Sequence, residues 1–274
     1  MRAHGLVDVP GGSFAMGYDG PLANLGDGEG PVRPVEVAPF RIGPTAVTNQ
    51  QFATFTKATG YVTDAEREGW SFVFYALVSE PGAVTGRVAG AEWWCAVEGA
   101  WWGAPDGPGS DTGARQNHPV VHVSANDAEA YCAWSGTRLP TEAEWERAAR
   151  GGLDGAIFPW GDELRPGNAW RCNIWQGDFP RNNTAEDGHL GTAPVKTYRP
   201  NGFGLHQMVG NVWEWTADAW SVDGVVDAEQ RVRRGGSYLC HDSYCNRYRV
   251  AARDRSRPDD ATGNIGFRVA APPR

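Results

Sequence analysis

The sequence predicts an α+β fold: one compact domain over residues 1–274, with few helices, short strands and long ordered loops. Three observations point there. The 274 residues include 36 glycines and 19 prolines, which implies many turns without reaching low-complexity composition. Hydrophobic residues make up 41% and aromatics 11%, enough apolar material for a core. Only three helix starts stand out, each with a capping signature.

Residues 4–18 read as two short strands around a turn at Pro10-Gly11-Gly12, and residues 35–42 as a further alternating stretch. Thr48-Asn-Gln-Gln51 forms a capping box, starting a helix that runs to about Gly60. Residues 80–117, rich in Gly, Pro and Trp, read as irregular. Ser124-Ala-Asn-Asp127 starts a second helix ending near Gly136. Thr141-Glu-Ala-Glu144 starts a third, stopped by Gly151-Gly152. Residues 153–230 show little periodicity, and a loop of that extent is uncommon unless functional or held by something other than a core. Short strands are expected near 231–238 and 264–270.

The balance of 25 basic to 33 acidic residues, a net charge of −8, argues against nucleic acid as a partner. No apolar run approaches the ~20 residues of a membrane span, so no membrane association is expected. The segment Met1 to Pro10 has no signal-peptide pattern, and five cysteines in a long chain do not make a disulfide framework. A reducing, cytoplasmic setting is the expectation.

The most informative segment is Arg234-Gly-Gly-Ser-Tyr-Leu-Cys240-His-Asp-Ser-Tyr-Cys245-Asn-Arg-Tyr-Arg249. An odd offset puts two strand residues on opposite faces, and five helical steps of ~100° leave them ~140° apart. If Cys240 and Cys245 act together, the backbone between them must bend, and Gly235-Gly236 suits an irregular approach. Three readings stay open: a redox disulfide of unusual spacing, a soft-metal site such as Cu(I), or two buried inert thiols. The eight arginines at 231, 233, 234, 247, 249, 253, 255 and 257 favour thiolate, although such a run also reads as a solvated face. His118 and His122, an even offset apart in an expected strand, share a face suited to packing or hydrogen bonds.

This segment resembles the active-site stretch of the formylglycine-generating enzyme family, the sulfatase-modifying factors. The similarity continues through His118-Pro-Val-Val-His122, Arg138-Leu-Pro-Thr-Glu-Ala-Glu-Trp-Glu146, Pro159-Trp-Gly161, Asn173-Ile-Trp-Gln-Gly177, Val209-Gly-Asn-Val-Trp-Glu-Trp215 and Asn264-Ile-Gly-Phe-Arg268, over roughly residues 6–270. RLPTEAEWE, GNVWEW and GFR mark a broad superfamily; the cysteine pair is more specific.

The resemblance implies a sulfatase-modifying-factor fold, C-type-lectin-like. It implies oxidation by O₂ of the cysteine in a Cys-x-Pro-x-Arg segment of an unfolded sulfatase to Cα-formylglycine, with a thiol reductant and Cu(I) held by Cys240 and Cys245. Ser237 matches the family's active-site serine and Trp213 the tryptophan lining the oxygen pocket. Two Ca²⁺ sites are implied: Asn173, Asp187 and the carbonyls of Ile174 and His189; and Glu214, Gln207 and the carbonyls of Gly210 and Val212. Gln207 stands where the family usually has Asn.

Family members from oxidising compartments carry disulfides. Here Cys132 faces a partner position occupied by Val269, and the other pair falls at Ala149 and Val250, which agrees with a cytoplasmic reading. Cys95, Cys132 and Cys172 then read as structural thiols. Residues 64–74 and the Trp-rich 93–102 stretch are candidates for the peptide groove, with Trp70 and Ser71 as contacts, and the chain is expected to act as a monomer. Competing functions are the sulfoxide synthases of ergothioneine biosynthesis, which use histidine-bound iron and an added helical domain, and a non-catalytic binding module. The absence of an evident three-histidine constellation speaks against the first, and the cysteine pair against the second.

Overall fold

A computed structural model describes residues 5–274 of the chain. β1 (Val7–Val9) and β2 (Gly12–Met16) flank the turn expected between them. They do not pair with each other. β2 forms an antiparallel pair with β3 (Arg33–Val37), and β1 with β4 (Phe40–Ile42). The stretch 35–42 is therefore two strands, broken at Ala38-Pro39, where proline offers no ladder donor.

α1 (Asn49–Thr59) begins with the reciprocal Thr48–Gln51 capping box and ends at Gly60, whose φ of 68° is left-handed. The same chemistry builds α2 (Asp64–Glu68), capped by Thr63 and Glu66. At five residues it is too short to show in apolar periodicity. β5 (Trp70–Phe74), β6 (Val84–Val88) and β7 (Ala91–Glu98) then form a sheet in the order β5-β7-β6, which corrects the irregular reading of 80–117. Gly86 and Gly90 mask strands whose alternating Cys95 and Val97 point into the interior. α3 (Ala125–Ser135) and α4 (Glu142–Arg150) follow, with the expected boxes and C-terminal glycines. The 118–122 stretch between is not a strand: His122 has φ 57°, so the two histidines do not share a face by alternation.

From 153 to 212 the only strands among the described residues are β8 (Gly177–Asp178) and β9 (Asn182–Asn183). The aperiodic reading fails beyond that point. β10 (Trp213–Val222) and β11 (Val225–Arg234) form a long hairpin, joined by β12 (Arg253–Ser256) and, parallel to β10, β13 (Ile265–Gly266). Four consecutive buried residues at Trp213–Thr216 and register shifts between Trp215 and Trp220 erase the two-residue period. β11 stops at Arg234 rather than 238, because Gly235 (φ 94°) and Gly236 (φ 70°) turn the chain. β14 (Ala270–Ala271) joins β4, so 264–270 serves two sheets.

The main core gathers Phe52, Phe55, Tyr131, Trp145, Trp215 and Phe267 between helices and sheets. Phe52 meets Phe267 edge-on at 6.3 Å, so α1 packs directly onto the C-terminal segment. No described helix is long and apolar enough to cross a membrane.

Candidate active site

The segment after β11 is set by buried charge. Arg234 is fully buried and donates to Glu142 at 2.7 Å, Glu146 at 2.5 Å and the Val250 carbonyl at 2.7 Å. Arg253 forks onto Glu142 at 2.6 and 2.8 Å, and Arg249 onto Glu29 at 2.6 and 2.7 Å. Three of the eight arginines in the run are thus structural rather than part of a solvated face. A Cβ on Gly235 would lie 2.8 Å from the Met208 carbonyl, and one on Gly236 3.0 Å from that of Arg247, so both positions need glycine.

Two tight turns then bring the sulfurs together. Cys240 N–H donates to Ser237 O at 2.9 Å, and Cys245 N–H to His241 O at 2.6 Å. The free thiols of Cys240 and Cys245 lie 2.6 Å apart and are 2% and 6% exposed, which answers the bend that the spacing requires. The hydrogen bond from Cys240, with Arg247 nearby, draws the Cys245 thiol down; burial and its partner push Cys240 well up. Of the two sulfurs, Cys245 is therefore the one favoured as thiolate, with the Cys240 S–H as its hydrogen-bond donor. Two adjacent sulfurs are a soft donor set, the kind that Cu(I) takes.

Both sulfurs line a cleft of about 240 Å³, together with Ser237, Trp213, Asn264, Arg233, Arg247 and Asp254. Ser237 Oγ accepts from Asn264 Nδ2 at 2.9 Å. The Arg233 guanidinium lies 4.9 Å over the Trp213 ring and pairs with Asp254 at 2.7 Å. Burial alone would raise the Asp254 carboxyl, but Arg233 and Arg247 hold it low. Sequence reasoning missed Arg233, Arg247, Asp254 and Asn264 as site residues. The arginine run and the Asn-Ile-Gly-Phe-Arg motif were their signals.

A second cleft of about 390 Å³ shares Phe72, Ser256 and Thr262 with the first. Four carboxylates (Asp64, Glu68, Asp259, Asp260) and one guanidinium, Arg257, line it. Trp70 borders it at 37% exposure. Ser71 lines it too, its hydroxyl buried and held 2.8 Å from Ala261 O and 2.7 Å from His122 Nδ1. Of the Trp-rich stretch, Trp94 reaches the thiol cleft while Trp102 is core.

For the calcium ligands, the informative atoms are unpaired oxygens. Asn173 Oδ1 and Gln207 Oε1 are buried without any hydrogen-bond partner. Asp187 lies against the same region, its backbone N–H reaching Gln176, which in turn bonds Ile174 O; its carboxylate accepts from His189 N–H at 3.0 Å. This set fits a hard cation. The second fits less well: Glu214 accepts from Trp145 at 2.7 Å and twice from Arg268, at 2.6 and 2.8 Å, so a cation there meets the guanidinium's charge. Among the described residues no group of three His, Cys, Asp or Glu forms a metal cluster.

Cys95, Cys132 and Cys172 are buried and free, and burial raises all three thiols, Cys132 to about 12. None of the five cysteines is in a disulfide.

Comparison with known proteins decides the family. The profile of the sulfatase-modifying factor enzyme 1-like domain matches residues 1–272. The chain belongs to that family. It is 58% identical to the formylglycine-generating enzyme of Thermomonospora curvata, over 99% of this chain and 94% of that one. It is 49% identical to a Bos taurus protein named inactive C-alpha-formylglycine-generating enzyme 2, over 97% and 87%. The structure of PvdO from Pseudomonas aeruginosa superposes with a TM-score of 0.70 at 28% identity, covering 98% of this chain and 94% of that one. The α+β sulfatase-modifying-factor fold is therefore the observed one. Because the family contains a member named inactive, membership alone does not assign catalysis, and the thiol pair carries that weight.

Proposed function

We propose that this chain is an oxidase that converts the cysteine of a Cys-x-Pro-x-Arg segment in an unfolded sulfatase to Cα-formylglycine, using O₂ and a thiol reductant. The observation that carries the reading is the pair of free sulfurs 2.6 Å apart, lining a cleft that shares three residues with an acidic groove. In the overall balance the substrate CH₂–SH becomes CHO and its sulfur leaves as H₂S. One O₂ is consumed together with two electrons and two protons from the reductant, and one water is released.

A Cu(I) ion held by Cys240 and Cys245 would supply the O₂ activation that side chains lack. The residues around it have their own tasks. Ser237, fixed by Asn264, presents its hydroxyl to the cleft as a hydrogen-bond partner for oxygen or sulfur. Trp213 walls the oxygen pocket, and the cleft excludes bulk water from the thiols. An extended chain spans about 13 Å from the substrate Cys to the Arg four positions on. On this reading the Arg enters the acidic groove that shares Phe72, Ser256 and Thr262 with the thiol cleft, where Glu68 and Asp260 offer carboxylates and Trp70 an aromatic face.

Calcium at Asn173 and Asp187, with the carbonyls of Ile174 and His189, would pin the irregular 173–189 stretch; the Gln207 and Glu214 set, with carbonyls of Gly210 and Val212, is the weaker of the two. The proposed site comes from one chain, so a monomer suffices. Five free cysteines suit a reducing compartment, and we assign the chain to the cytoplasm on that ground.

The test is conversion of a short Cys-x-Pro-x-Arg peptide, followed by mass spectrometry, on metal-stripped protein with and without one equivalent of Cu(I), under air with a thiol reductant. Copper-dependent aldehyde formation that disappears in Cys240→Ser supports the proposal. Copper bound without conversion would overturn the substrate, and Cu(I) affinity unchanged in Cys245→Ala would overturn the bis-thiolate site.

A further inference from the structure

The connection between β2 and β3, residues 17–32, makes no strand or α-helix but is closed on itself. Tyr18 N–H donates to Glu29 O at 3.1 Å, and Val32 N–H to Asp19 Oδ2 at 2.9 Å. Its base is bolted to α4: Gly17 N–H donates to Glu146 at 2.8 Å, and Arg150 to Gly17 O at 3.0 Å. Loops with pinched ends of this kind hold a fixed shape without regular structure.

Three side chains of this loop reach the residues directly after Cys245. Asn24 Nδ2 donates to Asn246 Oδ1 at 2.9 Å. Asp27 accepts from Arg247 Nε and Nη2 at 2.6 and 3.1 Å, and Glu29 accepts both guanidinium donors of Arg249. Asn246 returns a bond to Leu22 O at 3.1 Å. Residues 241–249 hold no helix or strand of their own. Cys240, by contrast, is held from the other side, its carbonyl accepting from Trp175 N–H at 3.1 Å. The two sulfurs are therefore positioned by different parts of the chain.

We infer that the β2–β3 loop is a clamp that sets Cys245 against Cys240, with Asp27 acting through Arg247 as a positioning residue. The inference deepens the proposed copper site and rests on it in one arm only. A two-point Arg–carboxylate pair fixes direction as well as distance, which a single bond does not. Arg247 also lines the cleft, so the pair holds a cation at its wall. Glu29–Arg249 is too buried for a clean probe, since removing one partner strands a charge. Asp27–Arg247 is the less buried of the two pairs, with side chains 12% and 24% accessible, so its loss strands less charge.

The experiment uses the full chain and the variant Asp27→Asn, with Asn24→Ala as the second variant should the first not fold. Cu(I) affinity is measured by anaerobic competition with a chromogenic chelator. The metal-free protein is separately alkylated, and each cysteine followed by mass mapping. The expected result is a loss of about tenfold in Cu(I) affinity, the scale of an outer-sphere partner, with Cys245 alkylated faster and Cys240 unchanged. Affinity within about twofold of wild type, together with unchanged Cys245 alkylation, would overturn the clamp. A wild-type protein that does not bind Cu(I) sinks the copper reading instead, and the alkylation arm still decides the clamp.

Discussion

Arg234 and Glu146 meet 2.5 Å apart with both side chains about 1% exposed or less. The pair joins α4 to the last residue of β11, one position before the glycines that turn the chain toward the thiols. Glu146 also accepts from Arg150 and from Gly17 N–H, so one carboxylate ties the functional segment and the β2–β3 loop to the same helix.

That makes Glu146→Ala a stability prediction. Removing one partner of a buried pair leaves an uncompensated charge and costs about 3–5 kcal/mol. Urea unfolding followed by tryptophan fluorescence measures it. A loss under about 1 kcal/mol would mean that water or a rearranged carboxylate takes up the charge.

Ser237→Ala separates chemistry from scaffold. The serine hydroxyl accepts from Asn264 Nδ2 and Leu239 N–H, so its loss leaves two donors unpaired at about 1–3 kcal/mol each at most. The protein is expected to fold and to turn over peptide more slowly, with kcat falling more than KM rises. Failure to fold would make the serine structural and remove it from the proposed mechanism.

His122 gives a pH prediction. Burial pushes its imidazole down from 6.5 to about 4, and the neutral ring lies 2.8 Å from Pro105 O and 2.7 Å from Ser71 Oγ. Between those values the unfolded chain binds a proton that the folded one refuses, so stability is full above pH 6.5 and falls toward pH 4. The total is about 3 kcal/mol. His118 is pushed the same way but is only half-buried and contributes less. Unfolding midpoints across that window are expected to flatten in His122→Gln; an unchanged slope would assign the acid transition elsewhere.

How much of this was legible follows from the physics of each signal. Capping boxes and C-terminal glycines are local, so α1, α3 and α4 could be read directly from Thr48, Ser124 and Thr141. Hairpins whose strands bury both faces or carry bulges lose the two-residue period, and β10–β11 was lost with it. The cysteine pair was legible as a motif, but not the turns at Ser237 and His241 that unite it. The partners that hold the Ser71 hydroxyl, His122 and Ala261, lie 51 and 190 residues away and leave no local signal. Asp27 and Glu29 sit in a loop with no local signal, and their partners are 220 residues on.

The orphaned oxygen of Asn173 leads to the last prediction. A buried amide oxygen without a partner costs about 1–3 kcal/mol, and its Nδ2 is already committed to Gly191 O and Asn211 Oδ1. Turning the amide over would trade one mismatch for two, since both of those partners are acceptors. A hard cation bound at Asn173 and Asp187 resolves it and neutralises a carboxyl that burial otherwise raises. Chelation with EGTA is therefore expected to lower the melting temperature by several degrees, at about 2–4 °C per kcal/mol for a chain of this size, and added Ca²⁺ to restore it. Asn173→Ala is expected to melt lower and to ignore the chelator, because the ligand and the mismatch disappear together. A wild-type melting temperature indifferent to EGTA and Ca²⁺ would show that no calcium is held there, and that the oxygen is met by buried water instead.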